Sequence, residues 1–436
     1  MPKKQKATFT TYEWFIVAVI TFIQFTVILD FMVLSPLSAF LLKEMKIGPD
    51  QFSLVVSAYA FSAGASGLLA AGFADKFDRK RLLMFFYTGF VIGTALCALS
   101  PTYEFLLLAR IFTGVFGGVI GSIAFAIITD LFKLEVRGRV MGFVQMAFAV
   151  SQVIGLPVGL YLANAFDWHA PFWLIVAVSI PAGVVILIYM RPINAHLKLK
   201  TKENPFLHLF HTLTKSDYLK GFAATALLAT GGYMLMPLGA AYSTENLGLT
   251  KEELPILYLV TGLFTIFFGP LSGRLADKVG KYKVFVGGCV IAMAMVGWYT
   301  NLGITPLWVL ILINVILFAG LTARMIAASA LITAIPDPAD RGAYMGVNSS
   351  IQQISGGIAA FFAGLIVVQP QIQSVENGLA VTKSGPLENY PLLGIVVMAS
   401  LVATIILFWG VDRMVTRKIA AAPAMNTEKV PVVIAE

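Results

Sequence analysis

The sequence predicts an all-α integral membrane protein with twelve transmembrane helices, arranged as two six-helix bundles related by a pseudo-two-fold axis. Three observations predict it. The first is composition: of 436 residues, 58% are hydrophobic and only 12% charged, with a mean hydropathy of +0.83. Soluble domains carry about 25% charge, so a soluble chain this apolar could not cover its surface. The second is the count of apolar runs long enough to cross about 30 Å of hydrocarbon at about 1.5 Å per residue. The third is an internal repeat.

Twelve runs qualify: 14–41, 51–74, 82–99, 103–130, 138–165, 170–190, 219–243, 254–276, 284–301, 305–333, 342–367 and 391–412. They fall six to each half. The repeat shows in the charged breaks between runs. Ala71-Gly-Phe-Ala-Asp-Lys-Phe-Asp-Arg-Lys-Arg81 returns as Gly273-Arg-Leu-Ala-Asp-Lys-Val-Gly-Lys-Tyr-Lys283, placing Asp75 against Asp277 at an offset of 202. Arg137-Gly-Arg-Val-Met-Gly142 returns as Arg341-Gly-Ala-Tyr-Met-Gly346 at an offset of 204. Two matches at nearly one offset make the chain two copies of one unit. The expected organisation is an N-terminal bundle over 1–190, a cytoplasmic linker over 191–218, a C-terminal bundle over 219–413 and a disordered cytoplasmic tail over 414–436.

Orientation follows from lysine and arginine, which favour cytoplasmic loops. With both termini inside, 25 of the 31 basic residues fall in inner segments and four (Lys43, Lys46, Lys251, Lys383) in outer loops. Arg110 and Arg324 lie within spans. Both termini are therefore expected on the cytoplasmic side, and the expected location is the inner, plasma membrane of a bacterial-type cell. Met1–Lys6 is basic and leads into the first run without a small-residue cleavage site, so a retained first span is expected rather than a removed signal. In the linker, Pro205 followed by Phe206, Leu209, Phe210 and Leu213 has helical spacing, which fits either a short helix on the inner leaflet or a plain polar connection. The outer loop 368–390, with Pro370, Gly378 and Pro386, is expected to be irregular.

An ionisable group inside hydrocarbon costs at least about 2.5–3.5 kcal/mol on insertion scales, so each needs a reason. Asp30 lies in the outer half of span 1 and Arg110 about two turns into span 4 from its outer end. The spans run in opposite directions, so the two sit at similar depth. An aspartate facing arginine in low dielectric stays ionised, and one separated from it by a conformational change takes a proton. The pair reads either as a proton switch or as static glue between spans 1 and 4. Arg324, in span 10, faces no obvious acid in spans 7 to 12. It is either a substrate-facing cation or bonded to carbonyls and the polar cluster Asn348, Ser349, Ser350, Gln352 and Gln353 of span 11.

The duplicated loops have a mechanical reading. Asp75 and Asp277 sit where an aspartate caps a neighbouring helix and pairs with basic residues across the loop: Arg79 and Lys80 in the first copy, Lys278 and Lys281 in the second. Such contacts would close the inner gate; the alternative is that these charges only set topology. Gly114 and Gly118 in span 4, and Gly155 and Gly159 around Pro157 in span 5, have the four-residue spacing that lets helices pack closely. Gln24, Tyr233 and Met236 are candidate cavity residues beside Arg324, Asn348 and Gln352, with core or lipid-facing packing as the alternative.

Several classes are excluded. There is no phosphate-binding loop and no zinc motif, and the two cysteines, Cys97 and Cys289, lie inside apolar runs, so neither a disulfide framework nor a metal site is expected. The excess of eight positive charges is spread over short loops and is no nucleic-acid signature. The chain is expected to be no enzyme, to need no cofactor, to be monomeric, and to have as partners a small-molecule substrate, protons and the bilayer.

Over nearly the whole chain these residues resemble the major facilitator superfamily. The loop 71–81 is similar to that family's signature between spans 2 and 3. The copy at 273–283 matches it better, since Ala71 and Asp78 replace glycines in the first. Leu107-Leu-Ala-Arg110 through Gly114 resembles the span 4 motif whose arginine is implicated in proton coupling, and Gly155–Gly159 a short form of the span 5 antiporter motif. The resemblance implies the major facilitator fold, alternating access with spans 1, 4, 7 and 10 around a cavity, and a twelve-span drug/proton antiporter. The contexts of Asp30, Arg324 and Asn348–Gln353 are most similar to the arabinose- or sugar-efflux branch. The function expected is proton-coupled export of a drug-like amphiphile, sugar or metabolite. A proton-coupled uptake symporter is the rival reading, and a receptor or scaffold the remote one.

Overall fold

The computed structural model describes residues 9–132, 134–194, 197, 205–337, 340–376 and 379–421. Twelve of its helical segments are long and apolar enough to span a membrane. Span 1 comprises α1 (Thr11–Val33) and α2 (Ser38–Glu44), and spans 2 to 4 are α3 (Pro49–Phe73), α4 (Arg79–Ala98) and α5 (Tyr103–Leu131). Span 5 runs through α6 (Leu134–Val150), a π-helical turn (Ser151–Gly155) and α7 (Leu156–Ala165); span 6 is α8 (Ala170–Tyr189). After the linker helix α9 (Pro205–Thr214) come α10 (Ser216–Leu235) with α11 (Gly239–Glu245), α12 (Leu254–Val279), α13 (Lys281–Tyr299), α14 (Leu307–Ile332), α15 (Arg341–Ile366) and α16 (Tyr390–Ala421).

Proline shapes the spans. Spans 1 and 7, expected as continuous helices, are each broken once, around Pro36 and Pro237, because proline cannot donate the next hydrogen bond and clashes with the preceding turn. The breaks lie 201 residues apart and give the two halves the same jointed helix at the same place. In span 5 the π-turn ends two residues before Pro157, where the ladder must already be interrupted.

The turn between spans 2 and 3 is solved differently in the two copies. Asp78 caps α4 by accepting from the Arg81 amide at 3.0 Å, with an ordinary backbone. Its counterpart Gly280 has φ +108°, a conformation suited to glycine, and supplies no side-chain cap. The aspartate expected to cap was Asp75; its side chain lies outside the described residues.

Two further expectations are corrected, and one left open is decided. The loop 368–390 is not irregular: β1 (Gln371–Glu376) pairs antiparallel with β2 (Leu379–Ser384), Gln371 opposite Ser384. The intervening sequence, Asn377-Gly378, is a strong hairpin signal that the proline and glycine content masked. Secondly, α16 continues as helix to Ala421, past the point where the tail was expected to begin; residues 422–436 lie outside those described. Of the two readings left open for the linker, the helix is the one observed: α9 packs on α3, α10 and α15 and so touches both halves. Phe210 is exposed and Leu213 partly buried; Phe206 and Leu209 have side chains outside those described.

The halves meet along α3 against α15 and along α12 against span 5. A β-carbon at Gly364 would press on Ser53, one at Gly67 on the Ser350 hydroxyl, and one at Gly262 on the Val153 backbone, so small residues set this approach. Polar contacts between the halves gather at the face of α2 and α11. Ser35 donates to the Met236 carbonyl, Ser38 Oγ accepts from the Ala241 amide at 3.1 Å, and Lys43 pairs with Glu245 at 2.7 Å. Asn164 donates to the Lys251 carbonyl at 2.9 Å. The opposite face, which carries the α3–α4 and α12–α13 turns and α9, is called the basic face below.

Candidate functional site

The charged centre of the N-terminal half is built by four helices. The α1 stripe Ile16, Ile20, Ile23 and Leu29 faces the core, and Asp30 continues it, fully buried. Arg110 reaches it from α5, also with no exposure. Arg110 Nη1 donates to Asp30 Oδ2 at 2.7 Å, and Thr94 Oγ1, on α4, donates to Oδ1 at 3.1 Å. From α3 the Tyr59 ring lies 4.3 Å from the guanidinium carbon, a cation–π contact. The Cys97 thiol lies beside the same guanidinium. Arg110 Nε and Nη2 have no hydrogen-bond partner among the described residues. The pair is therefore single-pronged, with donors to spare, where a structural arginine–carboxylate pair is commonly two-pronged.

Close packing places these groups. A β-carbon at Gly114 would come within 2.5 Å of the Tyr59 carbonyl, and one at Gly118 would overlap the Ala63 backbone, so α5 lies directly on α3. Gly155 packs on Leu29, the neighbour of Asp30, and Gly159 on Val33, while Pro157 is buried between them. Both glycine motifs thus bear on the helices that carry the ion pair. Phe31, next to Asp30, contacts Tyr59 at 5.5 Å between ring centres and Tyr233 of the other half at 5.7 Å. A chain of contacts leads from Arg110 through Tyr59 and Phe31 across the interface.

The remaining candidates scatter. The Tyr233 hydroxyl donates to Gln353 Oε1 at 3.4 Å, and Met236 supplies the carbonyl that Ser35 bonds. Gln24 lies beside Gly121 on α5. Asn348 is buried and accepts from Thr225 Oγ1 at 2.5 Å; Gln352 is half-buried. Arg324 is 1% exposed and donates from Nη2 to the Leu228 carbonyl at 2.6 Å. Of the partners weighed for Arg324, the carbonyl is the one observed; the span 11 cluster bonds to Thr225 and Tyr233 instead.

The loop residues are also unequal. Arg79 is 4% exposed, bonding Asp130 Oδ2 on α5 at 2.9 Å and the Ala74 carbonyl at 3.0 Å, while Lys80 bonds the Leu187 carbonyl on α8 at 2.8 Å. These contacts tie the helices of one half to each other. Asp277 and Lys278 are exposed on α12, and Lys281 opens α13 near Asp412. The basic face holds instead a cluster that the sequence did not suggest: Lys215 and Lys418 flank Asp337 at 2.7 and 2.5 Å, and the Tyr218 hydroxyl donates to Asp340 Oδ2 at 2.7 Å. Thr94, Tyr59 and Phe31 were likewise missed. Tyr59 and Thr94 each stand at the depth of Asp30 on a neighbouring span, which was the available signal.

The profile of the Major Facilitator Superfamily matches residues 20–360 and again 221–425, so that each half is covered. The chain belongs to that superfamily. Superfamily members are membrane transporters rather than enzymes, and this one is a multi-pass protein of twelve spans. Among relatives, it is 26% identical over 275 residues to the MFS-type transporter YceJ of Bacillus subtilis (strain 168), covering 63% of this chain and 70% of that one. It is 22% identical over 244 residues to a bicyclomycin resistance protein homolog of Haemophilus influenzae, covering 55% and 60% of the two chains. Among solved superfamily structures, an inward-facing, unoccupied bacterial homolog of the human lysosomal transporter Spinster superposes with a TM-score of 0.67 at 18% identity, over 95% of this chain and 98% of that one. That likeness is one of fold.

Proposed function

We propose that the protein exports a small molecule by alternating access, drawing on a proton gradient, with Asp30 as the protonated group and Arg110 as its counter-ion. The observation that carries this reading is the fully buried, single-pronged Asp30–Arg110 pair with unsatisfied donors on Arg110. Protonation of Asp30 would remove the charge that holds Arg110 and free the guanidinium to choose another acceptor. Tyr59 and Phe31 would pass that movement to Tyr233, and the halves would rock about the α3–α15 seam. Static glue explains the burial equally well but not the spare donors, which cost free energy in a site that never rearranges.

If the basic face is cytoplasmic, the contacts of α2 with α11 seal the outer side, and the structure corresponds to a state from which substrate is loaded inside. Similarity to a bicyclomycin resistance protein homolog supports export of drug-like molecules. Arg79 and Lys80 act in this scheme on the stability of the inner face by bracing the helices of the N-terminal half, α4 against α5 and α8.

The test is transport in proteoliposomes of known orientation with an imposed pH gradient, using an amphiphilic fluorescent cation and then sugars. Export against a gradient by wild type, lost in Asp30→Asn while size-exclusion behaviour is kept, is the expected result. Unchanged export by that variant removes Asp30 from the mechanism. Accumulation in the opposite sense identifies an uptake symporter, and absence of flux for every ligand a receptor or scaffold.

A further inference from the structure

Among the described residues each half buries one arginine in mid-span, Arg110 and Arg324, but only Arg110 meets an acid there. Counting back from the prolines that break spans 1 and 7, Asp30 lies six residues before Pro36 and Gly231 six before Pro237. The duplication thus places glycine where its twin has the carboxylate. A β-carbon at Gly231 would stand 3.4 Å from Arg324 Nη1 and 3.3 Å from Ser400 Oγ, so the Arg324 guanidinium lies beside the position matching Asp30. A cysteine accompanies each arginine in space, Cys97 beside Arg110 and Cys289 beside Arg324, although neither the cysteines nor the arginines stand at the repeat offset.

Arg324 is 1% exposed, and its Nε and Nη1 have no hydrogen-bond partner among the described residues. Its observed hydrogen bond, to the Leu228 carbonyl, brings no charge. A guanidinium does not give up its proton in a protein. An uncompensated ion away from water costs several kcal/mol, and a neutral thiol does not neutralise it. We propose that the counter-charge comes from outside the chain: Arg324 forms the floor of a subsite for a monovalent anion, a halide or a carboxylate, between Gly231 on α10, Cys289 on α13 and Ser400 on α16. Gly231 keeps its flank of the guanidinium free of any side chain, where even a β-carbon would crowd Ser400 Oγ and Arg324 Nη1. Gly232 adjoins it, and a β-carbon there would meet nothing within 4 Å. The N-terminal half carries its anion covalently and can discharge it only by protonation. The C-terminal half borrows one and can exchange it. The inference holds for either direction of transport.

Equilibrium dialysis of the purified full chain in detergent against radiolabelled chloride tests it, with benzoate as the competing carboxylate and unfolding temperature as a second readout. Saturable binding and a rise in wild-type unfolding temperature with the anion are expected. Both should be lost in Gly231→Asp, which places a carboxylate beside Arg324, and in Arg324→Gln. Gly231→Asp should also unfold at or above the temperature of anion-free wild type, so loss of binding there is not loss of fold. Displacement of chloride by benzoate assigns the subsite to organic carboxylates such as a substrate's; chloride retained against excess benzoate assigns it to the inorganic ion. Absence of chloride and benzoate binding to wild type overturns the proposal, as does binding that survives in Gly231→Asp or Arg324→Gln, since that anion sits elsewhere.

Discussion

Tyr59 offers its ring face to Arg110, 4.3 Å from the guanidinium carbon, and the same ring meets Phe31 at 5.5 Å. The residue thus holds the cation on one side and, through Phe31 and Tyr233, touches the other bundle. A desolvated cation–π contact contributes about 2 kcal/mol. Tyr59→Phe keeps the ring and should transport within about twofold of wild type. Tyr59→Leu loses both the contact and the link and should transport about tenfold more slowly, the rate equivalent of about 1.4 kcal/mol. Initial rates in proteoliposomes decide it; equal rates for the two variants would mean that Tyr59 only fills space.

The glycines of span 4 admit a sharper test than their spacing alone would justify. A β-carbon at Gly118 would overlap the Ala63 backbone, which cannot swing aside, whereas one at Gly142 on α6 would meet nothing within 4 Å. Overpacking of this kind costs about 1–3 kcal/mol. Gly118→Ala should therefore lower the unfolding temperature in detergent while Gly142→Ala leaves it unchanged or raises it slightly. Equal shifts would show that α3 and α5 do not approach as closely as the structure has them.

At the far face, Lys43 and Glu245 join the halves at 2.7 Å, with Lys43 about half exposed. Partly exposed pairs are worth about 0.2–1 kcal/mol, so the contact biases a conformational equilibrium by a few-fold rather than locking it. Lys43→Glu should raise the population open on that face, and the swap Lys43→Glu with Glu245→Lys should restore it. Distances between spin labels on α2 and α11 report the populations; a swap that fails to restore them denies the contact any part in closure.

The architecture was legible because the bilayer imposes it: twelve apolar lengths, charged breaks and an offset near 202 residues leave little freedom. The pairing of Asp30 with Arg110 was legible for the same reason, since two lone charges at one depth have few other partners. What escaped was what depends on neighbours rather than on depth. Thr94 and Tyr59 look like any polar residues of a span until α4 and α3 are seen to close on the Asp30–Arg110 pair. Pro36 and Pro237 were visible, but a break in the helix follows from proline only once the preceding turn is known to be helical. Gly231 was unreadable as the partner of Asp30, because a missing side chain leaves no motif. The strands β1 and β2 were hidden by a loop composition that also describes a coil.

The cluster at the basic face shares no residue with the Asp30–Arg110 pair, which allows the two to be tested apart. Lys215 and Lys418, each hydrogen-bonded to Asp337, hold its carboxyl down to about 2, and Asp337 in turn holds the Lys215 ammonium above its usual range. An acid whose folded value is depressed stabilises the fold above its ordinary range and loses that contribution as pH falls toward the folded value. The contribution is therefore complete at neutral pH and fades only from about pH 4 down to about pH 2. Asp337 and Lys215 are each nearly half exposed, so solvent screening limits it to about 1 kcal/mol or less. Asp337→Asn should lower the unfolding temperature slightly at neutral pH, less so in high salt, and should leave the pH profile of transport between about pH 5 and 8 unmoved. Asp30→Asn should flatten that profile. Transport rates across this range, for both variants in the same vesicles, make the comparison. A profile displaced by Asp337→Asn would move the proton step from the buried pair to the loops that join α14 to α15 and α9 to α10.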